Sequence, residues 1–182
     1  QRAAKLAAEK AAKRERTQKK ESPSKQADNG SNKSADKSAN TTPAEVPVGG
    51  SGFAAQRGQL RQPVHGDVSN RFGSSRAEGA GSWKGVFIRT ASGAEIRAIA
   101  PGQVVFADWL RGFGNLIIVD HGGGYMSLYG HNEALLKQVG TQVKAGDTIA
   151  RAGNSGGNAE TGLYFEIRRL GAPVDPAQWV RF

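Results

Sequence analysis

The clearest pattern of apolar and polar positions lies near the C-terminus. Leu163, Phe165 and Ile167 alternate there with Tyr164, Glu166 and Arg168. A period of two predicts a half-buried strand, and the preceding Gly153-Asn154-Ser155-Gly156-Gly157-Asn158 supplies a turn into it. Shorter apolar runs predict further strands at 85–90, 95–98, 103–109, 115–120, 126–131 and 148–152. Turn sequences separate them, among them Pro101-Gly102, Gly122-Gly123-Gly124 and Ala145-Gly146-Asp147. Asn132 to Gln138 reads as one or two helical turns. Many short strands divided by glycine turns predict an all-β fold dominated by antiparallel sheet.

The pattern differs upstream. Residues 1–20 are rich in Ala, Lys, Arg, Glu and Gln, all good helix formers, with Leu6 their one large aliphatic side chain. Such a helix has no face to bury alone and reads as the end of a truncated coiled coil. Residues 21–59 read as a low-complexity, flexible linker with a potential regulatory role, with Val46 and Val48 the large aliphatics before Phe53. Within that stretch, Phe53 to Leu60 predicts a short helical turn docked through Phe53 and Leu60. The folded domain is expected at 60–182, with Gln62-Pro63-Val64 opening it.

Composition changes this picture in three ways. The formal net charge is +9, and residues 1–40 hold eleven Lys or Arg against five Asp or Glu, so +6 lies in the tail. A basic tail suits anionic polymers, yet the chain has no aromatic platform for nucleic acid, which is set aside as a partner. Cysteine is absent, which excludes disulfides and thiolate chemistry. No apolar run reaches the roughly 18 residues of a membrane span. The first residue is Gln1, from which an upstream part carrying any targeting signal is expected.

Five phrases give the domain a more specific reading. They are Ala98-Ile99-Ala100-Pro101-Gly102-Gln103-Val104-Val105, Gly114 to Gly122, Leu128-Tyr129-Gly130-His131, Val139-Gly140 with Val143-Lys144-Ala145-Gly146-Asp147, and Phe165-Glu166-Ile167-Arg168. In this order they resemble the LytM, or lysostaphin-type, zinc endopeptidase family over Val64 to Val180. The resemblance implies a LytM-type antiparallel sheet domain. Active members hold zinc with a His and an Asp four residues apart and with a His-x-His pair on the last long strand. At those positions this chain has Trp83, Phe87, Gly162 and Tyr164. His131 alone keeps an identity of catalytic type, and it is expected to hydrogen-bond in the old groove. The expectation is a degenerate domain with no catalytic residues, no metal and no cofactor.

The replacements look like those of the division-associated LytM proteins of Gram-negative bacteria. That group joins a long coiled coil to a degenerate LytM domain and activates N-acetylmuramoyl-L-alanine amidases that split septal peptidoglycan. By that resemblance the vacated zinc cleft becomes a partner-binding groove. Phe87, Phe113, Tyr129 and Tyr164 would form apolar walls, with His131 in the groove and Lys84 and Arg168 as a charged rim. Arg168 is preferred to Arg169 because it shares the face of Tyr164. An amidase helix bearing aliphatic residues and an acid would suit such a groove. The implied location is the periplasm at the division site. The missing N-terminal coiled coil would contact the division machinery, and peptidoglycan is a further expected partner. The runner-up is a non-catalytic peptidoglycan-binding module, and zinc hydrolysis stands third. The Val-Lys-Ala-Gly-Asp-Thr-Ile phrase also resembles a lipoyl carrier hairpin, but no lysine sits at a tight hairpin tip.

Overall fold

The computed structural model describes residues 51–76 and 81–182. The helical segment at 1–20 and most of the 21–59 linker lie outside the described residues. The fold is built on one ten-stranded, largely antiparallel sheet. Its main path runs β2 (Asp67–Asn70), β3 (Val86–Arg89), β10 (Gly162–Arg169), β7 (Tyr125–Leu135), β6 (Gly114–Gly122), β5 (Gly102–Leu110) and β8 (Gln142–Val143). β11 (Ala172–Val174) pairs with β10, and β9 (Thr148–Ala152) bridges β7 to β4 (Glu95–Arg97). The mostly antiparallel architecture is the one read from the glycine-punctuated pattern.

β10 is the strand the rest surrounds. It pairs with β3 on one side and β7 on the other, and both its faces are covered. Leu163, Phe165 and Ile167 enter the main core with Ile88, Ile117, Val119, Ile149 and Tyr129. Each such side chain contributes roughly 1.5–3 kcal/mol of transfer free energy on burial. Tyr164 and Glu166 are also buried, on the opposite face.

Two differences from the sequence reading have physical causes. The expected helical turn over Asn132 to Gln138 is instead strand as far as Leu135. Asn132 pairs with Asn115 of β6 and with Ala152 of β9, and Leu135 pairs with Ala150, so sheet pairing overrides the helix propensity of Glu133, Ala134 and Leu135. The packed body also begins before the expected boundary at residue 60. Helix α1 (Ser51–Ala55) buries Phe53 in the main core, stacked on His121 at 4.7 Å and beside Tyr125 at 5.0 Å. Leu60 of β1 (Leu60–Arg61) then pairs in parallel with Val180 of β12 (Val180–Arg181). The Phe53–Leu60 turn docks through the two side chains its sequence suggested.

Candidate protein-binding site

The positions that the resemblance assigns to zinc converge around the start of β3 and the first half of β10. Antiparallel pairing sets Tyr164 opposite Phe87 on one side and Gly130 on the other. Directly opposed residues share a face, so Phe87 and Tyr164 both project away from the main core. Gly130, with no side chain, leaves room for Phe113 and Tyr164 above it. Phe113 lies 5.5 Å from Tyr164, and Trp83 lies 6.1 Å from Tyr164 and 6.4 Å from Phe87, centroid to centroid. The His131 ring meets Phe87 and Tyr164 edge-on, each at 6.2 Å. The result is a five-ring cluster stacked on the outer face of β3, β10 and β7.

The cluster fills the place that the resemblance assigns to the zinc cleft rather than lining it. Phe87 and Tyr164 are each 2% exposed and form a floor, where walls were expected. Gly162 shows the reason. A Cβ there would lie 2.4 Å from the Ile88 carbonyl and 2.7 Å from the Phe87 ring. Phe87 occupies the space a ligand side chain at 162 would need. Over this floor Trp83 and Phe113 remain half-buried, and Lys84 is exposed. Trp83 is held at the base of a short arm by backbone bonds to Gly73 and Ser74, and the Arg76 guanidinium lies 4.3 Å over its ring. A hollow of about 480 Å³ opens here, lined by Asn70, Arg76, Trp83, His131, Gly156 and Asn158 among others. A larger depression of about 1090 Å³ lies between residues 56–65 and β4, and none of the replaced positions lines it.

Tyr129 departs from the expectation. It pairs with Phe165, faces the main core with no exposed surface, and lies 5.4 Å from the Phe165 ring. Its hydroxyl accepts from the Ile99 backbone N–H at 3.1 Å and shares a 2.9 Å bond with Ser127. Burial pushes this phenol up to about 12. Tyr129 is a core residue and forms no wall of the groove.

Polar groups tie the cluster together. The Tyr164 hydroxyl donates to Glu166 Oε2 at 2.7 Å, and Arg168 Nε donates to Glu166 Oε1 at 2.6 Å. Arg168 therefore lies on the face of Tyr164, as strand alternation required. Burial, and then the bond to Glu166, push the Tyr164 phenol far above its ordinary range, so it stays a neutral donor. His131 adopts φ 62°, a left-handed conformation uncommon outside glycine, beside the β-bulge of β7. Its Nδ1 lies 2.9 Å from the Ser155 carbonyl, which can only accept, so Nδ1 carries the proton. Burial lowers the His131 pKa against the pull of that carbonyl, and Arg76 adds to the lowering. Glu166 and Arg76 were given no role from sequence. The alternation already placed Glu166 between Tyr164 and Arg168, whereas nothing in the sequence singled out Arg76.

A catalytic zinc needs three or four nitrogen, oxygen or sulfur donors and an open position. The four positions here offer an indole, a phenyl ring, a glycine hydrogen and a phenol already engaged with Glu166. Among the described residues no three His, Cys, Asp or Glu side chains converge on a point that could hold a metal. These residues do not fit zinc.

Comparison with known proteins finds relatives of this chain. "Murein hydrolase activator EnvC" of Escherichia coli (strain K12) is 48% identical over 129 residues, which are 71% of this chain and 30% of that protein. "Murein hydrolase activator NlpD" of the same organism is 42% identical over 121 residues, covering 66% of this chain and 31% of the relative. The chain thus matches about a third of the length of these relatives. Among solved structures, a zinc-containing peptidase from Vibrio cholerae superposes with a TM-score of 0.61 at 27% identity, over 64% of this chain and 38% of that one. The sequence profile of Peptidase family M23 matches residues 81–176, just over half of the 182 residues. With its sheet, its motifs and its profile in agreement, the chain belongs to peptidase family M23 and carries an EnvC-like LytM domain.

Proposed function

We propose that this chain is a non-catalytic activator of N-acetylmuramoyl-L-alanine amidases, and that it binds them over the filled zinc cleft. The observation that carries this reading is the exchange of ligand positions for a ring cluster topped by Trp83 and Phe113. Half-exposed aromatic anchors, with Arg76 over the Trp83 ring and Arg168 joined to the cluster through Glu166 and Tyr164, are the composition of a binding hot spot. The names of the relatives, murein hydrolase activators, support the same reading. Amidase binding would stabilise an open amidase conformation in which its own zinc site is uncovered, a population shift driven by differential affinity. The substrate of that step is septal peptidoglycan, which puts the protein in the periplasm at the division site. A coiled coil upstream would bring it to the division machinery.

The test uses the full 182-residue chain, a purified N-acetylmuramoyl-L-alanine amidase and dye-labelled sacculi. Dye release is expected to rise well above the amidase alone only when both proteins are present, and Arg168→Ala or Trp83→Ala is expected to abolish the rise. Release by this chain alone would overturn the non-catalytic assignment. Sedimentation of the chain with sacculi, without any effect on the amidase, would favour a peptidoglycan-binding module instead.

A further inference from the structure

Among the described acidic residues only Glu166 is buried, with its side chain 1% exposed. A carboxylate in that position must be compensated, and burying an ion pair is seldom more stabilising than an apolar side chain of similar size. An apolar residue would fit this place in the sheet, because Glu166 sits opposite Leu128 and beneath Gly85. Its retention therefore points to what it holds. One oxygen accepts from Tyr164, whose ring touches Trp83, Phe113 and His131. The other accepts from Nε of Arg168, whose side chain is 36% exposed.

The geometry of Arg168 is side-on. Nε faces inward to Glu166, and the terminal guanidinium nitrogens have no bond to any described residue. A guanidinium held this way has lost its rotamer entropy before a partner arrives and still offers donors in a planar fork. We propose that Glu166 is a positioning residue of the docking site. It holds Arg168 so that the outer guanidinium nitrogens receive an acidic side chain of a protein partner, at a position joined through Glu166 and Tyr164 to the ring cluster that Trp83 and Phe113 top. This rests on the amidase reading above and specifies the chemistry at one edge of that contact. A protein is favoured over the carboxylates of peptidoglycan because the joined ring cluster is aromatic and suits aliphatic side chains.

The test is a double-mutant cycle on the full chain, with affinity for a purified N-acetylmuramoyl-L-alanine amidase read by calorimetry at low and raised salt. Glu166→Gln and Arg168→Ala are each expected to weaken binding about tenfold or more and to reduce its salt sensitivity. The double variant is expected to bind no more weakly than Arg168→Ala alone, since Glu166 acts through Arg168. Glu166→Leu, which removes the buried charge and leaves the Tyr164 hydroxyl as the unpaired donor, is expected to stay folded and lose the same affinity. Wild-type affinity in Glu166→Leu, or losses that multiply in the double variant, would overturn the positioning role. Failure of the wild-type chain to bind amidase at all would instead remove the reading on which this role rests. A Glu166-dependent gain in binding to sacculi without amidase would assign the acid to peptidoglycan and overturn the protein partner.

Discussion

At the scale of single residues, the site is defined by an exchange of volume between positions 87 and 162. A Cβ at 162 would meet both the Ile88 backbone carbonyl at 2.4 Å and the Phe87 ring at 2.7 Å, so glycine suits the place beside Phe87. Gly162→Ala is accordingly expected to destabilise the fold by about 1–3 kcal/mol through overpacking, as measured by urea denaturation. Tyr129→Phe should cost about 1–3 kcal/mol by leaving the buried Ile99 N–H unpaired. It should leave the affinity for amidase unchanged, because Tyr129 faces the core. That Trp83, Phe87, Gly162 and Tyr164 lie together was legible in the sequence, since motif spacing singles out positions whatever residues fill them. The facing of Tyr129 was not. Residues 127–132 of β7 are buried on both faces, so no polar alternation marks which side is inward.

At the scale of elements, legibility followed length. The longer strands β5, β6, β7 and β10 carry enough residues for a period of two to stand out. β1, β8 and β12 have two residues each, too few to show any period, and depend on partners distant in sequence. Helix α1 lies between these cases. Its five residues form no pattern, but the aromatic Phe53 amid small and polar neighbours signals a docking point. Phe53 packs on His121, Tyr125 and Trp179, so Phe53→Ala is expected to cost about 3–5 kcal/mol of stability. A chain cut at residue 60 should show a similar loss in its urea midpoint, because it lacks the same ring.

At the scale of the whole molecule, the two faces of the sheet divide the work. The inner face holds the core and the α1 anchor, and the outer face holds the ring cluster. Each face buries one histidine. His121 is held by the Pro101 carbonyl and Ser127, and burial lowers its pKa against the opposing effects of Pro101 and Asp120. Burial also lowers the pKa of His131. A lowered folded pKa means that the unfolded chain takes up protons first as pH falls. The contribution of both histidines is therefore full above the ordinary value of about 6.5 and declines as pH drops through it toward the folded values. Urea midpoints should be flat between about pH 8 and about pH 7 and fall by about pH 5.5. A midpoint rising toward acid would contradict the buried, neutral histidines.

The three tryptophans offer the most direct test of where a partner lands. Trp83 caps the ring cluster, Trp109 is 56% exposed on β5, and Trp179 is buried beside Phe53. The measurement is the indole N–H spectrum of the full chain during titration with purified N-acetylmuramoyl-L-alanine amidase. The Trp83 signal should shift or broaden at stoichiometric amidase while those of Trp109 and Trp179 stay in place. An unmoved Trp83 at saturation, with either of the other two perturbed, would show that the partner binds elsewhere and that the filled cleft is not the docking site.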